Sequence, residues 1–286
     1  MRIAILGAMG FLGRELSKSL ARQGHEVTGF VIHPPLIQQE SFLCRPISSL
    51  KGRDTSPEDD FDVVINLAAR RSTKSNPLSE AMVREFTFNI PRDFILRASG
   101  VGTLVLNAST YIQNFKGVDG STVDTYGAAK QELTRFLMEE SEIRGFRTLD
   151  LFLFTVYGIG DRPNHLVPSL ISAAKKGEGI SLSPGHQLMN LIHVNDAVRN
   201  FTNALSTNEQ FSYRRHFVWQ EDYFTVRSLV SSIESIAGVS IDCLWGERPY
   251  AGHEMFEPWG VPMPQIPSFE SRISLEQGLR ELWSQS

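Results

Sequence analysis

The stretch RIAILGAMGFLGREL, residues 2–16, decides the fold class of this chain. It opens with a short apolar run, passes Gly7, Gly10 and Gly13, and continues into leucines at four-residue spacing. A short apolar run is typical of a buried strand, and leucines at that spacing are typical of an amphipathic helix. The stretch therefore predicts a β-strand that turns through a glycine loop into an α-helix.

The glycine loop has the spacing G-x-x-G-x-x-G, which suits the phosphates of a bound dinucleotide. Gly7 permits a tight turn, Gly10 lets the backbone approach a pyrophosphate, and Gly13 allows the helix to pack closely on the strand. The helix N-terminus favours the negative charge of that pyrophosphate. A dinucleotide site is therefore predicted here, with contacts from Gly7, Gly10, Phe11, Leu12 and Gly13.

The end of the second predicted strand indicates which dinucleotide is bound. Sites for NAD usually carry an acid there, which bonds the ribose 2′-hydroxyl, whereas this chain has Phe30-Val31-Ile32-His33. A 2′-phosphate would meet no repulsion, and Arg14 and His33 are candidates to contact it. Arg14 is explained equally well as an ordinary exposed helix residue. We expect NADP(H) to be preferred, with NAD(H) as the alternative.

Strand-like and helix-like segments alternate over the first half of the chain. Apolar runs near residues 25–32, 61–67, 103–108 and 148–154 are separated by helical stretches near 78–98 and 124–144. Such alternation indicates βαβ units and a parallel sheet with helices on both faces. We predict an α/β, Rossmann-type doubly wound parallel sheet.

Prolines interrupt the pattern beyond Gly158, which indicates a smaller, loop-rich C-terminal substrate domain. Residues 1–162 with 190–225 are predicted to form the dinucleotide-binding domain. Residues 163–189 with 226–286 are predicted to form the substrate-binding region.

The bulk composition excludes several functional classes. The net charge of −4 and scattered basic residues argue against nucleic acid or an anionic membrane as a partner. Cys44 and Cys243 lie far apart in no paired motif, which fits a reducing compartment. No apolar run approaches the ~20 residues of a membrane span, and the histidines lack metal-ligand spacing. We expect a cytoplasmic protein without a metal site.

Tyr126 and Lys130 are the candidate acid–base pair, since residues four apart share one face of a helix. The pKa of a free phenol is about 10, and a nearby ammonium favours the phenolate. The pair can therefore exchange a proton with a carbonyl or hydroxyl oxygen of a substrate. Ser109 and Thr110 end the preceding strand, and either hydroxyl can bond the same oxygen; Thr110 is preferred. The alternative is a surface pair on an amphipathic helix.

Four further blocks resemble the extended short-chain dehydrogenase/reductases, in particular the NAD(P)-dependent sugar-nucleotide epimerases and dehydratases. The blocks are NLAA (residues 66–69), Asn89 ahead of Pro91, FTVYGIGD (154–161) and LIHVND (191–196). The resemblance covers nearly the whole chain. It implies cofactor contacts from Leu67, Ala68, Ala69, Asn89, Tyr126, Lys130, Phe154 and Val156.

Three other segments are similar to nucleotide-sugar 4-ketoreductases of the CDP-abequose and CDP-paratose synthase type. They are NASTYIQ (residues 107–113), SPGHQ (183–187) and GERPY (246–250). This resemblance implies NADPH-dependent reduction of the C4 ketone of a 4-keto-6-deoxy nucleotide-diphosphate sugar. Met189-Asn190 replaces the family's Arg-Asp, which leaves the nucleotide open among CDP, GDP, dTDP and UDP. Arg162, Gln187 and Arg248 become the candidate substrate contacts.

Two other functions fit this sequence less well than reduction of a ketone. An NAD-dependent epimerase or dehydratase is disfavoured by the missing acid after the second strand and by Tyr111-Ile112, where 4,6-dehydratases carry Asp-Glu. A non-catalytic NADP-sensing or RNA-associated relative usually loses the tyrosine or the lysine, and this chain has both.

Family analogy also predicts a homodimer, formed through the helices near 78–98 and 124–144. These helices carry more apolar residues than one face of the sheet needs, although burial of the sheet is the alternative explanation for them. The residues are Phe86, Ile90, Phe94, Leu133, Phe136 and Leu137.

Overall fold

A computed structural model describes residues 1–32, 41–51, 56, 59–73, 76–117, 122–207, 209–258, 264 and 272–285 of the chain. These residues form two compact units. The first contains Met1–Leu153 and Val198–Phe217; the second contains Phe154–Ala197, the stretch that begins at Val218, and the C-terminal helix. The predicted roles of the two regions in cofactor and substrate binding stay predictions, since compactness does not show what a unit binds.

The helices and strands alternate along the chain as the sequence predicts. In chain order they are β1 (Arg2–Leu6), α1 (Phe11–Arg22), β2 (Glu26–Val31), β3 (Leu43–Pro46), β4 (Val63–Asn66), α2 (Glu80–Arg84), α3 (Ile90–Ala98), β5 (Leu104–Thr110), α4 (Thr125–Arg144), β6 (Arg147–Leu153), β7 (Thr155–Tyr157), α5 (Leu166–Lys176), β8 (Ile180–Leu182), β9 (Leu188–Met189), β10 (Leu191–His193), α6 (Val194–Ala204), β11 (Tyr213–Val218), β12 (Phe224–Thr225), α7 (Val226–Ala237), β13 (Cys243–Trp245) and α8 (Leu275–Gln285).

The first unit is built on a seven-stranded parallel sheet in the order β11-β6-β5-β4-β1-β2-β3. The order reverses between β1 and β4, and open α/β sheets bind ligands at such a switch point, beyond the carboxyl ends of the strands. The predicted Rossmann-type fold is confirmed. The edge strands β3 and β11 were not predicted from the sequence.

The sheet is buried on both faces, as expected for parallel strands with helices on each side. All seven residues of β5 are buried. A core cluster joins strands to helices through Phe30, Phe94, Leu133 and Phe146. Packing of α3 and α4 on the sheet fixes where the residues at the strand ends point.

The helical stretch predicted near 78–98 has a break in its regular repeat. Ser79 caps α2 by accepting a hydrogen bond from the Met82 N–H at 3.2 Å. A π-helical turn over Glu85–Asn89 then separates α2 from α3. A π turn contains one residue more than an α turn, so residues after it lie on a different face from the one that the α-helical pattern predicts.

The second unit is built from pairs of short strands and three helices. Strand β7 pairs with β10, β8 with β13, and β9 with β12. Helices α5, α7 and α8 enclose a core that includes Leu170, Leu229 and Leu279. Tyr157 on β7 packs edge-to-face on His193 of β10, with ring centroids 5.4 Å apart. Among the described residues, no helix combines the length and the hydropathy that crossing a membrane requires.

Candidate active site

The glycine loop between β1 and α1 has the geometry that the sequence predicts. Gly7 has a φ of +85°, which side chains rarely permit, and its N–H donates to Phe30 O at 3.0 Å. The Gly10 N–H donates to Gly7 O at 2.9 Å. A Cβ at Gly13 would lie 2.2 Å from Gly7 O. Both ends of the loop therefore require glycine.

The loop fits the pyrophosphate of a dinucleotide. Gly10 caps α1 without a side-chain hydrogen bond, and the first turn carries no acid, so its positive end meets no side-chain countercharge there. A Cβ added at Gly10 would lie 3.2 Å from Gly7 O. Leaving aside the neighbouring residues of the chain and the backbone of α1, no other heavy atom of the described residues would lie within 4 Å of it. The loop thus presents backbone donors beside open space, as anion binding requires.

The residues after β4 lie against this loop. The Leu67 N–H donates to Leu6 O at 2.9 Å, and a Cβ at Gly7 would lie 3.0 Å from Ala68 N. The Ala68 N–H donates to Asn66 Oδ1 at 3.1 Å. The structure therefore brings Leu67, Ala68 and the glycine loop together at the carboxyl ends of β1 and β4.

Asn89 lies at the end of the π turn before α3. Its amide is held on its own helix, where it donates to Glu85 at 2.6 Å and accepts from Arg84 at 3.0 Å. The buried Thr87 contacts the segment after β4 instead: its hydroxyl accepts from the Arg70 N–H at 3.3 Å and donates to Arg70 O at 3.1 Å. The sequence analysis missed Thr87, because the π turn changes which residues face the sheet.

The two residues predicted as the acid–base pair lie in the first turns of α4. Asp124 caps this helix by accepting from the Gly127 N–H at 2.8 Å, and it also binds the Arg71 guanidinium at 2.6 Å. Lys130 is only 2% exposed, and its Nζ donates to Ala108 O at 2.6 Å. The phenol of Tyr126 forms a hydrogen bond with the Thr110 hydroxyl.

Burial controls the protonation of both groups. Burial raises the pKa of Tyr126 to about 12, an effect that the Arg71 charge and the Thr110 hydrogen bond partly oppose. Burial lowers the pKa of Lys130 to about 8, and the nearby Asp150 charge opposes that fall. At neutral pH the phenol of Tyr126 is thus protonated, and the amine of Lys130, one helical turn later, is charged.

The structure distinguishes the two hydroxyls at the end of β5. Thr110 bonds Tyr126. Ser109 is 3% exposed and turned into the protein, where it accepts from Asn107 Nδ2 at 3.1 Å and lies 3.5 Å from the Thr134 hydroxyl. The geometry favours Thr110 as the hydroxyl beside the phenol and gives Ser109 a supporting position.

A buried polar ladder, which the sequence analysis missed, crosses the sheet beneath this edge. Asn66 on β4 donates to Asn107 on β5 at 2.7 Å, and Asn107 donates to Asp150 on β6 at 2.8 Å. Tyr213 on β11 completes it by donating to Asp150 at 3.0 Å. These four residues define the polar ladder. Three of them are fully buried polar side chains in apolar strands.

The other predicted contacts are distributed over both units. Arg14 follows Gly13 in α1 and is half-buried, whereas His33 lies outside the described residues. Phe154, Val156, Arg162, Gln187 and Arg248 belong to the second unit. Within that unit Arg162 and Arg248 are exposed, and the buried Gln187 donates to the Ser183 hydroxyl at 2.7 Å. No group of three or more potential metal ligands occurs within the described part of the chain.

Two known proteins are similar to this chain in sequence over most of its length. CDP-abequose synthase of Yersinia pseudotuberculosis is 27% identical over 270 residues, which cover 90% of this chain and 92% of that protein. Protein CapI of Staphylococcus aureus is 23% identical and covers 74% of this chain and 72% of its own length.

Solved structures share the fold at lower identity. MoeE5 in complex with UDP-glucuronic acid and NAD superposes with a TM-score of 0.83 at 20% identity, covering 99% of both chains. UDP-glucuronic acid 4-epimerase of Bacillus cereus, in complex with UDP-glucuronic acid and NAD, gives a TM-score of 0.83 at 16% identity, covering 99% of this chain and 98% of its own. The profile of the NAD dependent epimerase/dehydratase family matches residues 3–218, more than half of the sequence. The resemblance drawn from the motifs is confirmed, and the chain belongs to the NAD dependent epimerase/dehydratase family.

Proposed function

We propose that this protein is an NADPH-dependent reductase of the C4 ketone of a 4-keto-6-deoxy nucleotide-diphosphate sugar. The observation that carries the proposal is the Tyr126 phenol, which forms a hydrogen bond with Thr110 and lies one helical turn before the buried Lys130 on α4; its pKa of about 12 keeps it protonated at neutral pH. A protonated phenol suits a step that gives a proton to an oxygen. The sequence similarity to CDP-abequose synthase supports a nucleotide sugar as the substrate class.

The residues of the site have distinct roles in this proposal. A reduced nicotinamide, when bound at the glycine loop, would provide hydride-donor chemistry for the ketone carbon. Tyr126 donates its proton to the ketone oxygen, so that hydride and proton together convert the carbonyl to a hydroxyl and leave Tyr126 as a phenolate. Thr110 orients that oxygen by a hydrogen bond, and the Lys130 ammonium stabilises the phenolate that remains. The glycine loop and Leu67–Ala69 hold the dinucleotide.

Dehydration and epimerisation are less well supported by the same site. Thr110 is followed by Tyr111 and the buried Ile112, so these positions supply no carboxyl group to take part in removing water. No acid follows β2 at Val31 or Ile32 to bind the ribose 2′-hydroxyl of a retained NAD.

The direct test is incubation of the pure protein with NADPH and a panel of 4-keto-6-deoxy sugars carrying CDP, GDP, dTDP or UDP. We expect loss of nicotinamide absorbance with at least one nucleotide, and a product with a hydroxyl at C4. Conversion of a UDP-sugar to its C4 epimer without net loss of NADPH would contradict the proposal and support the epimerase alternative.

The cofactor is expected to be NADP(H) rather than NAD(H). Titration of both cofactors by calorimetry measures the preference directly. Arg14→Ala should weaken NADP(H) binding by the loss of one charged hydrogen bond, ~1.5–3 kcal/mol, and leave NAD(H) binding nearly unchanged. Arg22→Ala, at an exposed position near the end of the same helix, is the matched control. If Arg14→Ala weakens NADP(H) and NAD(H) binding equally, Arg14 does not contact the 2′-phosphate. If the wild-type protein binds NAD(H) more tightly than NADP(H), the expected cofactor preference is wrong.

The diphosphate of the sugar nucleotide is expected to contact Arg248. This exposed arginine follows β13, and its backbone N–H donates to Leu182 O at 3.1 Å. Arg248→Ala should raise KM by about 10- to 150-fold, equivalent to a charged hydrogen bond, with unchanged thermal stability. Arg280→Ala, an exposed arginine on α8, is the control. A lower melting temperature with an unchanged KM would make Arg248 a structural residue.

The homodimer and the cytoplasmic location stay predictions. Much of the apolar surface that suggested a dimer is used inside the protein: Phe94, Leu133 and Leu137 are buried in its core, and Ile90 and Phe136 pack against that core. The Arg70 guanidinium lies over the ring of Phe86 at 4.5 Å. Light scattering at micromolar concentration tests the association state.

A further inference from the structure

Asp150 is a buried carboxyl group for which the proposed reaction has no role. It lies in the middle of β6 and has no exposed surface. Its Oδ1 accepts from Asn107 at 2.8 Å, and its Oδ2 accepts from Thr134 at 2.8 Å and from Tyr213 at 3.0 Å. A carboxylate satisfies all three donors as an acceptor, whereas a carboxylic acid must donate one bond itself. The hydrogen bonds therefore fit the charged form.

A buried carboxylate is costly unless an opposite charge lies close to it. Two cations among the described residues lie on elements packed around Asp150. Lys130 comes from α4, and its Nζ donates to the carbonyl of Ala108, the residue next to the Asn107 that donates to Asp150; the Asp150 charge raises the pKa of Lys130 against the effect of burial. Arg215 comes from β11 and forms a hydrogen bond with Tyr213, which itself donates to Asp150. Lys130 is 2% exposed and needs a counter-charge as much as Asp150 does.

Hydrogen bonds also connect Asp150 to the backbone of Thr110, the residue whose hydroxyl bonds Tyr126. Thr134, one helical turn beyond Lys130, donates to Asp150 and accepts from Gln113 Nε2 at 2.8 Å. Gln113 Oε1 in turn accepts the backbone N–H of Thr110 at 3.2 Å. A second arm runs from Asp150 along the polar ladder through Asn107 and Asn66 to the Ala68 N–H, in the segment expected to line the cofactor.

We propose that Asp150 is a positioning residue of the active site: it supplies the buried counter-charge of Lys130 and fixes Thr110 through Thr134 and Gln113. The second half of this inference rests on the proposed function, since Thr110 matters only if it orients a substrate oxygen. The first half concerns the charge of Lys130 and can be measured without any substrate.

The test is an NMR titration of the lysine side chains in the wild-type protein and in Asp150→Asn. The substitution keeps the shape and most of the hydrogen-bonding capacity but removes the charge. The Lys130 resonance is identified by its absence in Lys130→Met. We expect Asp150→Asn to move the Lys130 midpoint down by about 1 pH unit or more, the effect of removing a nearby opposite charge. Exposed lysines such as Lys176 serve as internal references and should not move.

Tyr213→Phe is the matched control, because it removes one hydrogen bond from the carboxylate and leaves its charge in place. We expect the Lys130 midpoint in this variant to stay at or above the wild-type value. If the Lys130 midpoint is unchanged in Asp150→Asn, or falls equally in both variants, Asp150 is not the counter-charge of Lys130. If Asp150→Asn does not fold, the double variant Asp150→Asn/Lys130→Met decides: recovery of folding supports the pairing of the two charges, and failure to recover contradicts it.

Activity measurements separate this inference from the proposed function. If the protein reduces a ketone, the alkaline fall of kcat/KM in Asp150→Asn should shift by the same amount as the NMR midpoint. Thr134→Val, which breaks the link to Gln113 but keeps the Asp150 charge, should lower kcat without that shift. A shifted Lys130 midpoint in a protein that reduces none of the ketones would leave the counter-charge standing and remove the proposed function.

Discussion

Replacing Tyr126 with phenylalanine is expected to lower kcat about 10²–10⁴-fold, the usual contribution of a general acid. The variant keeps the ring that packs at the start of α4 and removes only the hydroxyl that bonds Thr110. The pKa of about 12 that burial gives this phenol means that the group is protonated across the working range of pH. The loss should therefore appear at every pH at which the wild-type protein is active.

Two measurements show whether the loss is chemical. Cofactor affinity by calorimetry should change little, because the glycine loop is untouched, and the melting temperature should stay close to that of the wild-type protein. Thr110→Val should also lower kcat, whereas Ser109→Ala should have the smaller effect on kcat, since Ser109 is turned toward Asn107 and Thr134. Turnover of Tyr126→Phe within a few-fold of wild type would refute the assignment.

Lys130→Met is expected to lower both the rate and the cofactor affinity. In the proposed reaction the ammonium stabilises the phenolate left by proton transfer, and the family resemblance implies that it also contacts the cofactor. The pKa of Lys130, lowered to about 8 by burial, gives this role a pH signature. As the pH rises through 8 the ammonium loses its proton, so kcat/KM of the wild-type protein should fall on the alkaline side of about 8.

The comparison of two lysines makes the test specific. Lys176→Met removes a lysine whose side chain is 60% exposed, and it should retain the wild-type rate and alkaline fall. Lys130→Met should lose most of the rate, and its residual activity should lack the fall near pH 8. A wild-type profile that stays flat well above that pH would show that the charge of Lys130 does not limit the reaction.

The fold and the positions of the main site residues are accessible from the sequence because their signals are local. The glycine loop lies within seven consecutive residues, from Gly7 to Gly13, and Tyr126 and Lys130 are one helical turn apart. Each signal is visible in a short window and depends on a general rule of strand or helix geometry. The structure places each where the rule predicts.

Asp150 and Thr87 were missed for two different physical reasons. Asp150 lies between two leucines of β6, and its partners Asn107 and Tyr213 are 43 and 63 positions away. No window of the sequence contains both ends of such a bond. Thr87 was missed because the π turn over Glu85–Asn89 changes which residues of this helical stretch face inward, and the sequence pattern does not show that turn.

The polar ladder also has a consequence for the order in which this protein folds. Its bonds join residues 41, 43 and 63 positions apart, and each spans two neighbouring strands. Closing such long segments costs chain entropy before any contact compensates it. Asn107 can satisfy Asp150 once β5 and β6 pair, but Tyr213 reaches the carboxylate only when β11 docks at the edge of the sheet. The carboxylate at the centre of the sheet thus receives its last hydrogen bond from the edge strand farthest along the chain, and formation of the candidate active site is tied to completion of the sheet.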